Sequence, residues 1–180
     1  MVDEENRDAV INNLVEDIVT HDYHLDTGCT GTKHLLPVLF NTGHADVAYK
    51  LLTQTTYPSW GYWVECGAES AWESWEKTTR SQNHYFLATY DEALFTHIAG
   101  IKNIRDGYRS FTVKPELFCG LEFARASVET PLGKLSVDWK KNSDGGFDVE
   151  IIIPDGADAK IILSDKISEN VRVGKYNYRV

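Results

Sequence analysis

A chain of 180 residues can bury a sizeable core as one or two domains. Its net charge of −9 argues against nucleic acid or an anionic membrane surface as partner, since both are bound through clustered Lys and Arg, and leaves a neutral ligand unopposed. No apolar run approaches the ~20 residues of a membrane span, and the acidic start MVDEENRDAV lacks the basic-then-apolar pattern of a signal peptide, which leaves cytoplasmic and periplasmic placement open.

From Asp3 to about Thr20 the spacing of Ile11, Leu14, Val15 and Ile18 predicts a helix with one apolar stripe, its first turn crowded with acids that suit the helix dipole. The Gly-, Thr- and Asp-rich stretch His21 to Thr32 reads as a loop. Its His21, Asp22, His24 and Asp26 lack a further spaced ligand, so no metal site is expected. Cys29, Cys66 and Cys119, widely spaced and without a CxxC, suggest buried or idle thiols, and no cofactor is implied.

A second helix is expected from Lys33, carrying Leu35, Leu36, Leu39 and Phe40 and stopping at Gly43. A third follows at once, with Val47, Ala48, Leu51 and Leu52 as its stripe, so the two should form a tight hairpin. Pro58 ends helical structure and opens an aromatic loop. Within it a short helix is expected over Ser70 to Trp75, then a longer one from about His84 to Ala99 that stops at Gly100.

After Gly100 the period changes to that of strands. Gly107–Val113, Leu121–Glu129, Lys134–Lys140, Phe147–Ile153, Lys160–Leu163 and Lys175–Val180 are rich in β-branched and aromatic residues and bounded by turn residues. Leu135, Val137 and Trp139 alternate with polar neighbours, and Phe147, Val149, Ile151 and Ile153 point together, so each strand has one buried face. Thr130 to Gly133 and Lys141 to Gly146 read as hairpin connections. The fold class expected is α+β in two parts: about five helices over residues 1–101, then an antiparallel β-sandwich over 102–180.

Between Tyr57 and Tyr85 the chain crowds Trp60, Trp63, Trp72 and Trp75 together with Glu65, Glu69, Glu73 and Glu76. Flat apolar faces, acids and amides are what a carbohydrate-processing pocket needs, because sugars have apolar ring faces and hydroxyl edges. Four motifs stand in order: Thr27-Gly28-x-x-Gly31-Thr32, Thr56-Tyr57-Pro58-Ser59-Trp60-Gly61-Tyr62, Gly67-Ala68-x-x-x-Trp72-Glu73-x-Trp75 and Asn83-His84-Tyr85. Together they resemble the C-terminal part of bacterial α-L-rhamnosidases, from about Leu25 to the end of the chain.

The resemblance implies an inverting glycoside hydrolase with an (α/α)6 catalytic barrel followed by a β-sandwich, acting on rhamnose-containing glycosides or polysaccharides. About five helices cannot close such a ring, so the chain is expected to be a C-terminal fragment, inactive alone because the general acid lies elsewhere. Helices from an open toroid are expected to leave Leu35, Leu39 and Leu51 uncovered and to favour self-association. By the same resemblance Glu73 is the general base, which deprotonates water on the face opposite the leaving group. The resemblance likewise implies that His84 bonds a sugar hydroxyl, and Trp60, Tyr62 and Trp72 are expected to wall the pocket. The residues alone leave rivals. Ser70-x-x-Glu73 fits a capping box, His84 an ordinary helix cap, and the aromatic residues a core. A noncatalytic carbohydrate-binding or interaction module is the alternative function. Glu76 to Gln82 is shorter than the family often has here, and Glu69-Ser70 stands where a pair of Thr is usual.

Overall fold

The computed structural model describes residues 2–117 and 120–180, which leaves Cys119 outside the described residues. The chain divides into two compact units, Met1–Asp91 and Glu92–Val180.

The first unit is helical. A 3-10 turn, Glu4–Asn6, leads into α1 (Arg7–Thr20), whose stripe buries Ile18 fully and Ile11, Leu14 and Val15 in part. The next helix, α2, spans Cys29–Asn41 and so begins four residues before Lys33. The Gly-Thr stretch reads as loop by composition, yet the Thr32 hydroxyl folds back on the Gly28 carbonyl at 2.9 Å and meets the Thr27 hydroxyl at 2.8 Å. Thr32 is buried in that turn, a tertiary setting that overrides weak propensity. Helix α3 (Ala45–Thr53) packs on α2 after the turn at Gly43, whose φ of +84° is the left-handed stop expected. Leu35, Leu39 and Leu51 are not left open, as the partial toroid suggested: all three are buried, and the exposed apolar residues of this unit include Val10, Val19, Val38, Val64 and Phe86 instead.

Helix α4 (Trp60–Glu65) lies in the stretch read as aromatic loop. Ser59 caps it, its hydroxyl accepting from the Tyr62 N–H at 3.0 Å. Only glycine fits at position 61, because a Cβ there would stand 2.3 Å from the Gln54 carbonyl oxygen. The helix expected over Ser70 to Trp75 is absent, for a reason given with the site. The last helix is also shorter than expected: α5 (Tyr90–Ala93) continues as a π-helical turn, Leu94–Ile98. Residues 84–89 stay irregular, and the Leu87 carbonyl, which a helix would bond along its own axis, accepts the Trp60 indole N–H at 2.8 Å. Gly100, at φ +77°, ends the π turn; a Cβ there would strike the Lys114 backbone at 2.2 Å.

Among the described residues the second unit holds eight strands rather than six: β1 (Ile101–Arg105), β2 (Ser110–Val113), β3 (Phe123–Thr130), β4 (Gly133–Lys141), β5 (Phe147–Ile153), β6 (Asp158–Ser164), β7 (Ile167–Val171) and β8 (Gly174–Arg179). They form two four-stranded sheets, β1-β2-β6-β7 and β3-β4-β5-β8. The pairings are antiparallel except β2 with β6, which is parallel. β1 and β7 were not legible as strands, and a 3-10 turn, Asp106–Tyr108, occupies the start of the run read as one strand from Gly107. The two hairpins, β3–β4 and β4–β5, fall where the turn residues place them. Leu135, Val137, Trp139, Phe147, Val149, Ile151 and Ile153 are all buried, as the alternation requires. Phe111, Val113, Ala159 and Ile161 of the other sheet are buried as well, as the core of a sandwich requires. At its rim the Tyr178 hydroxyl on β8 donates to the Glu169 carboxylate on β7 at 2.8 Å, tying one sheet to the other.

Candidate active site

Trp60, Trp63, Trp72 and Trp75 collect into one cluster. Trp63 stacks on Trp75 with centroids 5.0 Å apart and planes 28° from parallel, and Trp72 lies 5.8 Å away on it. Trp60 stands edge-on to Trp75 at 5.9 Å and to Tyr90 at 5.6 Å. A buried indole must place its N–H on an acceptor, and three of these do so on main-chain carbonyls. Trp60 bonds Leu87, Trp63 bonds Trp75 at 3.3 Å, and Trp75 bonds Thr27 at 2.9 Å. The cluster therefore pins the irregular chain on either side of it.

Trp60 is 6% exposed and Trp72 3%, so both rings are covered within the unit and support the loop from beneath. Tyr62 is half-buried, its ring edge-on to Tyr57 at 5.3 Å. Its phenol is pushed above the ordinary range, first by the hydrogen bond it shares with the Cys66 thiol and then by desolvation. Cys29 is exposed and Cys66 half-buried, and both are free thiols.

Glu73 and His84 lie on two segments joined side by side. The Glu73 N–H donates to the Ser81 carbonyl at 3.0 Å, and the His84 N–H donates to the Ala71 carbonyl at 2.8 Å. The Ser70 hydroxyl closes the same pairing by donating to the Gln82 carbonyl. With the Glu73 N–H and the Ala71 carbonyl engaged across the pair, and the Glu73 N–H on Ser81 rather than on the Ser70 hydroxyl, Ser70 to Trp75 is not helical and the capping-box role for Glu73 goes with it. The intervening turn is held by the Thr79 N–H on the Glu76 carbonyl at 3.1 Å and the Ser74 hydroxyl on Thr79 at 2.8 Å. Nor does His84 cap a helix. Its Nδ1 accepts the Phe86 N–H at 3.3 Å, and its ring lies parallel to Tyr85, 5.5 Å away.

Glu73 and His84 are both half-buried. Among the described residues the Glu73 carboxylate makes no ion pair and accepts no hydrogen bond, so it can take a water or a sugar hydroxyl. Three residues on, Glu76 is exposed and held below the usual carboxylate range, first by the Ser74 hydroxyl, then by a backbone N–H, with the Tyr57 phenol 3.3 Å away adding to the effect. Sequence reasoning counted Glu76 only among the acids of the stretch and passed over Tyr57. The spacing of three from Glu73 was visible, but the tyrosine lies 19 residues from Glu76 and the contact is tertiary. Among the described residues no three metal-ligating side chains gather. His24 spends Nδ1 on the His21 carbonyl at 2.9 Å and Nε2 on the Thr56 hydroxyl at 2.7 Å. Among the described residues no helix is long and apolar enough to cross a membrane.

Successive helices carrying an acid- and aromatic-rich loop, with a β-sandwich next in the chain, have the architecture of the C-terminal part of a helical-toroid glycoside hydrolase. Residues 1–98 match the family model of the bacterial alpha-L-rhamnosidase 6 hairpin glycosidase domain, and residues 100–177 that of the bacterial alpha-L-rhamnosidase C-terminal domain. The chain belongs to the bacterial α-L-rhamnosidase family. It is 38% identical over 165 residues to an alpha-L-rhamnosidase of Streptomyces avermitilis, covering 86% of this chain and 16% of that protein. It is 32% identical over 188 residues to one of Formosa agariphila, covering 99% of this chain and 20% of that protein. The crystal structure of the Streptomyces avermitilis enzyme complexed with L-rhamnose superposes with a TM-score of 0.91 at 32% identity, over 99% of this chain and 20% of that one. The chain thus spans 16–20% of the length of these curated relatives.

Proposed function

We propose that this chain is the general-base portion of an inverting α-L-rhamnosidase, with Glu73 as the base and His84 as a hydrogen-bond partner of the rhamnosyl ring. The observation that carries this reading is the Glu73 carboxylate itself: half-buried, unengaged, and set beside His84 on a chain pair anchored to four buried indoles. A general base must stay ionised and reach a water, so partial access with no competing cation suits it better than deep burial. Tyr62 lies at the accessible margin of this cluster, whereas Trp60 and Trp72 act by holding the loop in shape. Inversion requires a carboxylic acid roughly 6.5–9.5 Å from the base to protonate the glycosidic oxygen. That acid comes from the part of the toroid that this chain does not supply, and the chain alone is inactive.

The test is hydrolysis of an aryl α-L-rhamnoside by a polypeptide of the relatives' length that ends in this sequence. Glu73→Gln should lower kcat by about 10²–10⁴-fold, and β-L-rhamnose should be the first product seen by NMR before mutarotation. Near-normal turnover by a folded Glu73→Gln protein overturns the assignment.

A further inference from the structure

Within the sandwich unit, a cleft opens between the turn that joins β1 to β2 and the tip of the β3–β4 hairpin. One side is the short helical turn Asp106–Tyr108, flanked by Arg105 and Arg109. The other is Pro131 with Leu132. The turn is forced into shape: Gly107 and Tyr108 both have positive φ, +68° and +59°, and a side chain added at Gly107 would lie 3.7 Å from the Pro131 ring. The hairpin tip is held from its far side as well, since a Cβ on Gly156 would meet Leu132 at 3.5 Å. Ile104, 62% exposed, extends the apolar wall.

Both guanidinium groups are exposed, and among the described residues neither forms an ion pair or a side-chain hydrogen bond. Arg7, Arg125 and Arg179 are each paired with an acid, whereas among the described residues Arg80 and Arg172 share the unpaired state but do not line the cleft. Among the described residues Asp106 is the one carboxylate lining the cleft, so the lining carries a net positive charge on a chain whose net charge is −9. Asp158, beside Arg109 on β6, has its carboxylate engaged by the Ser110 hydroxyl at 2.9 Å, and charges farther off than ~8 Å are largely screened at physiological salt. A planar guanidinium fork matches carboxylate and sulfate oxygens, while Pro131, Leu132 and Ile104 offer a sugar ring an apolar surface.

We propose that this cleft binds an acidic sugar of an oligosaccharide through its carboxylate or sulfate group. The choice of a glycan as ligand rests on the function proposed above; the binding itself does not depend on hydrolysis. Asp106 would accept sugar hydroxyls beside the arginine-bound anion.

The experiment is isothermal titration of this chain with tetragalacturonate, with a sulfated galactose tetrasaccharide and with neutral maltotetraose, at low and at physiological ionic strength. At least one anionic probe should bind, more weakly as salt rises, and the neutral probe should not. Binding to one anion alone identifies the group recognised. The Arg105→Gln/Arg109→Gln variant should weaken binding by about tenfold or more per guanidinium lost. Lys166→Gln, on the exposed turn between β6 and β7, should leave it unchanged. Circular dichroism unchanged from the parent confirms that the variants fold. Absence of binding, equal binding of the neutral probe, or anion binding that survives the double variant overturns the proposal. None of these outcomes bears on Glu73, whose test reads turnover.

Discussion

Trp139 on β4 separates the contributions of packing and hydrogen bonding in the sandwich core. Its side chain is 0% exposed, its indole N–H donates to the Ile98 carbonyl at 2.9 Å, and Phe147 stands edge-on to it at 5.5 Å. Trp139→Phe keeps most of the apolar contact but leaves the Ile98 carbonyl without that donor, a loss of about 1–3 kcal/mol. Trp139→Ala removes the packing as well, for about 3–5 kcal/mol, a large share of the ~5–15 kcal/mol that typically stabilises a domain. Because the chain has two units, the assay must be local, and hydrogen exchange read by mass spectrometry on β4 and β5 peptides provides this. Protection there should fall by about one to two powers of ten in the Phe variant and by two or more in the Ala variant. Peptides before Asp91 should keep theirs. Equal losses in the two variants would show that packing around the indole contributes little, and unchanged protection in both would refute the reasoning outright.

Two further expectations concern the same unit. His97 is buried, and its imidazole is held down to about 4, first by desolvation and then by the charges of Lys102 and Lys114. Between that value and the ordinary 6.5 the unfolded chain takes up a proton that the folded one refuses. Stability should therefore fall with pH across this window, by on the order of 3 kcal/mol in full. Glu116, whose carboxyl burial pushes upward, works in the opposite sense, its contribution being lost as pH rises through its folded pKa. The difference between the parent and His97→Gln in urea titrations at successive pH values isolates the histidine, and parallel curves would contradict its role. We also expect residues 102–180 to fold alone in a cooperative thermal transition, but residues 92–180 to melt higher, because Ile98 supplies the acceptor for Trp139. Identical melting temperatures would refute this.

What could be read from sequence follows how each element is stabilised. β4 and β5 bury every second residue, and that alternation is visible without tertiary knowledge. β1 buries only Ile101, and β7 only Val171, so neither carries a period to detect. The parallel contact of β2 with β6 joins segments that no hairpin connects. In the helical unit the errors cluster where side chains bond the backbone: Thr32 at the start of α2, Ser59 before α4, and Trp60 on Leu87. The resemblance to the family, carried by the four ordered motifs, singled out Glu73 and His84 as candidates. That residues 71–73 pair with 81–84 is a long-range hydrogen-bond pattern, which local propensity for a Ser-Ala-Trp-Glu helix outweighed.

The strands that escaped notice are the two margins of one sheet, and their polar character has its own use. A sheet margin offers unsatisfied N–H and C=O groups to any passing strand, and proteins counter this with charge and irregularity. β1 places Lys102 and Arg105 there and breaks register between Asn103 and Arg105; β7 carries Glu169 and Asn170, with a register break in its partner between Ile162 and Ser164. Replacing these residues with Val or Ile would make both strands easy to recognise in the sequence while turning the sheet into a template for growth from molecule to molecule.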